Sequence, residues 1–177
     1  MKRTVFYFIA LTLALLIGIE TLVSGLGTLM EANALKVATN ITTEDYNNLA
    51  VPSIIYILSS IGILVLSGLA LGKGLIALKR NGEINRTCNI LLVSACAVSL
   101  LFVGITDTVV LFKAFKQYNE IMDSYKGTNG YSAASYLYTS EKYVAFLTYS
   151  LKMSEIETLI AFSVLSFFKF KRKEQAI

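Results

Sequence analysis

The sequence predicts an all-α membrane protein of four transmembrane helices in an up-down bundle, with a helical extension of the third span and a Tyr-rich segment outside the membrane. Three observations predict it. Hydrophobic residues fill 55% of 177 positions and mean hydropathy is +0.62, too apolar for an ordinary soluble domain. Four apolar runs, over 4–30, 52–78, 87–112 and 143–168, each approach or exceed the ~20 residues that cross a hydrocarbon core. Basic residues cluster at alternate ends of those runs: Lys2 and Arg3, then Lys79, Arg80 and Arg86, then Lys169, Lys171, Arg172 and Lys173. By the positive-inside rule this puts both termini in the cytoplasm, at the cell membrane, with outer loops over 31–51 and 113–142. One membrane domain, 1–177, accounts for the whole chain.

The first run follows Lys2-Arg3 as a secretory signal would. It continues into Leu26, Leu29 and Met30, past a usual h-region, so a retained signal anchor is expected. Glu20 lies about 24 Å along it at ~1.5 Å per residue, on a side shared with Ser24 and Gly27. The polar segment 31–51 is expected as a loop with at most one helical turn. Thr42 and Asp45 are spaced as a capping box, and Pro52 suits the first turn of the next helix.

In the second span Ser53, Ser60, Ser67 and Gly74 recur every seven residues, with Tyr56, Ile63 and Ala70 between them on the same face. Small residues in register let backbones approach, so this is the candidate helix-packing seam. Gly68 and Gly72 form a GxxxG pattern on an adjoining face, which raises homo-oligomerisation as a second expectation. Lys79 to Arg86, containing Asn81-Gly82, reads as a tight turn.

The third span carries Cys88 and Cys96, eight residues apart on one helix. That spacing is roughly 12 Å along the axis, beyond the ~7 Å Cα limit for a disulfide, so free thiols are expected. Asp107 falls toward the far side of the membrane. Beyond Phe112 the three- and four-residue steps of Phe115, Tyr118, Met122 and Tyr125 continue the helix, and Gly127 offers its stop. Tyr131, Tyr136, Tyr138 and Tyr143 then suit an interfacial position.

The fourth run is long enough to span yet contains Lys152, Glu155 and Glu157. Each charge at a helix centre costs roughly 2.5–3.5 kcal/mol on insertion scales, so this helix needs its neighbours. Lys152 and Glu155 stand three residues apart on one side, which makes Glu155 the nearest candidate partner of Lys152, with Glu20 and Asp107 as the alternatives; Glu157 points nearly the opposite way.

Glu20, Asp107, Lys152, Glu155 and Glu157 fall at comparable depth and form the candidate intramembrane polar cluster. As structure, Lys152 bridges one or two carboxylates; as function, the cluster is an outward-opening pocket for a cation, proton or small polar ligand. The chain contains no histidine and no Gly-x-Ser-x-Gly elbow, which removes histidine-assisted nucleophilic catalysis and most transition-metal sites. No enzyme activity, cofactor or metal is expected. A net charge of +4 gathered at helix ends points to the lipid bilayer and not to nucleic acid. The expected function is an accessory subunit or interaction module presenting its outer loops to a membrane-protein partner. The competing expectation is a small cation- or proton-coupled transporter or channel subunit.

Overall fold

A single proline in 177 residues leaves long stretches free to form helix, and few of the glycines break the runs. A computed structural model describes residues 2–39, 41–81 and 83–167, the side chains of Lys2 and Asn81 excepted, and these are helical with no strand. The elements are α1 (Lys2–Thr39), α2 (Thr43–Asn81), α3 (Arg86–Val98), a π-helical segment (Ser99–Gly104), α4 (Ile105–Ser124) and α5 (Tyr131–Phe167). α3, the π segment and α4 form one continuous rod of 39 residues. At ~1.5 Å per residue such a rod is roughly 58 Å long, nearly twice the ~30 Å hydrocarbon core.

Three of the four rods, α1, α2 and the α3–α4 rod, are long and apolar enough to cross a membrane. α5 is as long, but its apolar stretch holds Lys152, Glu155 and Glu157 and it is not among the three. Phe168, at the end of the fourth apolar run, and the basic cluster of Lys169, Lys171, Arg172 and Lys173 lie outside the described residues, as does Gly82.

The segment 31–51, expected as a loop, is mostly helix, and the expected helical extension beyond Phe112 is present as the end of α4. Residues 31–39 continue α1, because Glu31, Ala32, Ala34, Leu35 and Lys36 favour helix and no glycine or proline interrupts them. The Thr42 hydroxyl accepts from the Asp45 N–H at 3.1 Å and donates to the Asp45 carboxylate at 2.7 Å. This reciprocal cap starts α2 at Thr43, so Pro52 falls inside the helix and not in its first turn. Within 113–142 only Tyr125 to Gly130 leave the helix, turned by Gly127 at φ 79°, a left-handed conformation that costs glycine little.

The ends of α1 and α5 meet where the Arg3 guanidinium donates to the Ser166 carbonyl at 2.5 Å. α1 packs on α2 and α5, α2 on α3, and α5 on both halves of the α3–α4 rod. Tyr7, Leu11, Ile63, Leu92, Val103, Ile156 and Leu159 are buried at their centre. Ser53, Ser60 and Ser67 are fully buried, as are Ile63 and Ala70 between them, and Gly74 is buried too. A Cβ on Gly74 would stand 3.0 Å from the Tyr7 ring, and the Tyr7 hydroxyl donates to the Ala70 carbonyl at 2.7 Å. The adjoining Gly68 and Gly72 are exposed, with nothing packed within 4 Å of where a Cβ would be. Cys88 and Cys96 are free and buried. The outside of the rods is apolar, with Leu16, Val23, Leu58, Val65 and Leu151 all exposed. Water would disfavour that surface and acyl chains would accept it.

Candidate functional site: a charged layer between the rods and an exposed tyrosine face

The charged layer is assembled from all four rods. Tyr56 of α2 donates its hydroxyl to Asp107 Oδ1 of α4 at 2.5 Å. Lys152 Nζ of α5 lies 3.9 Å from the same oxygen and 5.4 Å from the centre of the Tyr56 ring. The Lys152 side chain is 17% exposed and that of Asp107 9%. An ion pair so far from solvent is costly unless hydrogen-bonded as well, which the tyrosine provides. The Glu20 carboxyl of α1 meets that of Glu155 and acts on Asp107 through space. Asp107 is thus the carboxylate that pairs with Lys152, while Glu20 and Glu155 are exposed and lie at the edge of the layer. Thr108, next to Asp107, has its hydroxyl 3.2 Å from that of Tyr149 on α5.

The π segment draws Asp107 closer to the side on which Ser99 and Val103 are buried. Ser99, Val103 and Asp107 are buried at steps of four residues. Eight residues of regular helix would turn Asp107 about 80° away from Ser99, and the wider π turn brings it back toward the same side. Gly104, within that segment, lies against Met153 and Ile156 of α5.

Lys152 pairs across helices with Asp107 and not, as its three-residue spacing implied, with Glu155. Glu155 stays within the field of Lys152, but their side chains do not come within 4 Å. Glu157 is exposed and makes no hydrogen bond or ion pair among the described residues. Tyr56 is the member of the layer that sequence reading missed. A hydroxyl on the buried seven-residue face was the available signal, since a buried tyrosine needs a partner for its O–H. The π segment left no comparable signal. Asp107 Oδ2 is buried without a hydrogen-bond partner. Among the described residues, no group of three or more His, Cys, Asp or Glu side chains is arranged to hold a metal ion.

The second candidate region is outside the apolar stretches. α4 and α5 run back as a hairpin, joined by the Tyr118 and Tyr138 rings with centroids 6.0 Å apart and by Lys142 donating to Asn119. Lys113 donates to Asn48 at 3.1 Å and so ties the hairpin to α2. The outward side of α5 presents Tyr131, Ser132, Ser135, Tyr136, Thr139, Ser140 and Tyr143 around an open groove of about 680 Å³. Tyr136 is 83% and Tyr143 68% exposed. None of the lining residues is charged, whereas α4 carries the ion pair Lys116–Glu120, and Lys126 pairs with Asp123 just beyond its end.

This chain matches no protein-family profile, no curated protein and no solved structure, so its function is read from the charged layer and the tyrosine face alone.

Proposed function

We propose that this chain is a cell-membrane protein of four spans in an up-down bundle, with both termini cytoplasmic. In this reading it is a non-enzymatic accessory subunit or interaction module whose docking surface is the outer hairpin. α5 serves as the fourth span, its Lys152 charge offset by Asp107. The observation that carries the proposal is the uncharged tyrosine, serine and threonine face of α5.

Depth separates this reading from an aromatic belt. If α5 enters the hydrocarbon near Val144, Tyr143 occupies the headgroup layer, about 6 Å thick on each side. Tyr136 then stands about 10 Å farther out and Tyr131 about 18 Å. A belt accounts for Tyr143 only. Tyrosine with serine is also a composition that recognition surfaces favour, since the ring supplies rigid contact area and the small hydroxyls adapt their hydrogen bonds.

A photo-crosslinking side chain in place of Tyr136 should capture one stoichiometric membrane-protein partner in intact cells. Crosslinks to lipid alone would return the face to the membrane surface. Cysteines at Asn47 and Asn129, both exposed, should react with an impermeant reagent before lysis; reaction only after lysis would invert the topology.

A second reading, a small cation- or proton-coupled transporter or channel subunit, draws on the unpartnered Asp107 Oδ2 and the excess of carboxylates. Joint Glu20→Gln and Asp107→Asn should abolish flux in proteoliposomes if it holds, and should leave partner capture at Tyr136 intact if the first reading holds.

A further inference from the structure

Among the described residues, the cationic side chains outside the charged layer divide into partnered and unpartnered ones. At the end of the molecule that holds the α1–α2 and α4–α5 connections, each has an intramolecular partner. Lys36 lies 4.6 Å over the Tyr46 ring, Lys113 and Lys142 donate to asparagines, and Lys116 and Lys126 pair with acids. At the opposite end Arg3 donates to the Ser166 carbonyl, whereas Lys73, Lys79, Arg80 and Arg86 are exposed and make no hydrogen bond, ion pair or ring contact among the described residues. Glu83, in the same turn, is exposed and pairs with none of them.

The placement of these cations is informative. Lys79 and Arg80 close α2, where the negative pole of the helix favours them, but Arg86 opens α3, where the positive pole does not. Asn85 caps the Cys88 N–H at 3.0 Å, and no acid sits in that first turn to offset Arg86. Each of the three also lies four residues from an exposed apolar side chain on its own helix: Lys79 from Leu75, Arg80 from Ile76 and Arg86 from Ile90. Residues four apart share a helix face, so every cation stands directly beyond an apolar patch. Ile84, 4% exposed, pins the turn between them into the core.

We propose that the α2–α3 turn is a binding site for an anionic phospholipid, with Lys79, Arg80 and Arg86 holding the headgroup phosphate and Leu75, Ile76 and Ile90 lying along the acyl chains. A free phosphate matches the charges but leaves the apolar half of the site unused; a lipid uses both.

The full chain, reconstituted in nanodiscs of phosphatidylcholine alone or mixed with phosphatidylglycerol, tests this. Native mass spectrometry should find phosphatidylglycerol retained in preference to phosphatidylcholine, and the anionic discs should raise the melting temperature. Each basic residue beside an anionic leaflet is worth about fivefold in affinity, so joint Lys79→Gln, Arg80→Gln and Arg86→Gln should weaken retention by about a hundredfold. The control Lys113→Gln, Lys116→Gln and Lys142→Gln should leave retention unchanged. If the triple variant at the turn fails to fold, Arg80→Gln alone should still lose about fivefold. Equal retention of both lipids by the parent, or an undiminished preference in the turn variants, would overturn the proposal. So would inorganic phosphate that displaces the lipid and stabilises the protein equally in neutral discs.

Discussion

Two polar regions join the helices, and they differ in kind. Near the ends of α1 and α5 the contacts are mostly neutral: Tyr7 to the Ala70 carbonyl, Cys96 within 3.0 Å of Ser163, and Ser166 to Asn89 at 3.3 Å. Around Asp107 they are charged, and a tyrosine and a lysine converge on one carboxylate oxygen. A neutral hydrogen bond contributes about 1 kcal/mol, and a group that loses it can often be accommodated. A buried charge that loses its counterion has no such outlet. Sensitivity to mutation is therefore concentrated in the charged layer, although the neutral region has as many cross-helix bonds.

The strongest test is Lys152→Met, which leaves Asp107 buried with only Tyr56 to offset it. Loss of one partner of a buried pair costs about 3–5 kcal/mol, so melting in detergent should fall steeply. Adding Asp107→Asn should restore most of that loss, and adding Glu155→Gln should restore less. If Glu155→Gln rescues better, the dominant pair is the one within α5. If Lys152→Met melts like the parent, the layer is solvated and the contrast between the two regions disappears.

The same pair shows what was legible in the sequence. Three of the four apolar runs lie in helices able to span a membrane because hydropathy and length are local properties. The burial of Ser53, Ser60 and Ser67 follows a seven-residue repeat written along one helix. Spacing along a helix ranks Glu155 ahead of Asp107 as the partner of Lys152 because it reveals only neighbours on that helix, whereas Asp107 comes from another rod just beyond a π turn that has no compositional mark. The helical extension past Phe112 and its stop near Gly127 were legible in the three- and four-residue steps, whereas the loop expected over 31–51 is mostly helix. Polarity predicts a loop over 31–51, but polarity does not distinguish a solvated helix from a loop.

A smaller effect tests the packing between the two regions. Ser67 is fully buried and its hydroxyl has no partner, so the site values small volume and not polarity. Ser67→Leu should destabilise by about 1–3 kcal/mol through overpacking, while Ser67→Ala should cost nothing or stabilise. Two equally tolerated variants would mean that this face meets lipid. In the neutral region Tyr7→Phe should cost about 1 kcal/mol, because the Ala70 carbonyl keeps its place in the α2 ladder when the hydroxyl is gone. A cost near that of Lys152→Met would make the neutral region an equal anchor and break the comparison.

The smallest effect on stability is expected at Tyr136, where the consequence for binding should be largest. Its ring is 83% exposed, makes no aromatic pair among the described residues and lies on the outward side of α5. Tyr138, two residues on, faces the Tyr118 ring and holds the hairpin together. Tyr136→Ala should therefore change melting by no more than about 0.5 kcal/mol, while Tyr138→Ala should loosen the hairpin and expose its backbone to hydrogen exchange. Partner capture separates the roles: Tyr136→Ala should lose it with the fold intact, and Tyr136→Phe, which keeps the ring, should retain most of it. If Tyr136→Ala destabilises as much as Tyr138→Ala, the residue serves the fold, and the outer face loses its claim to be a docking surface.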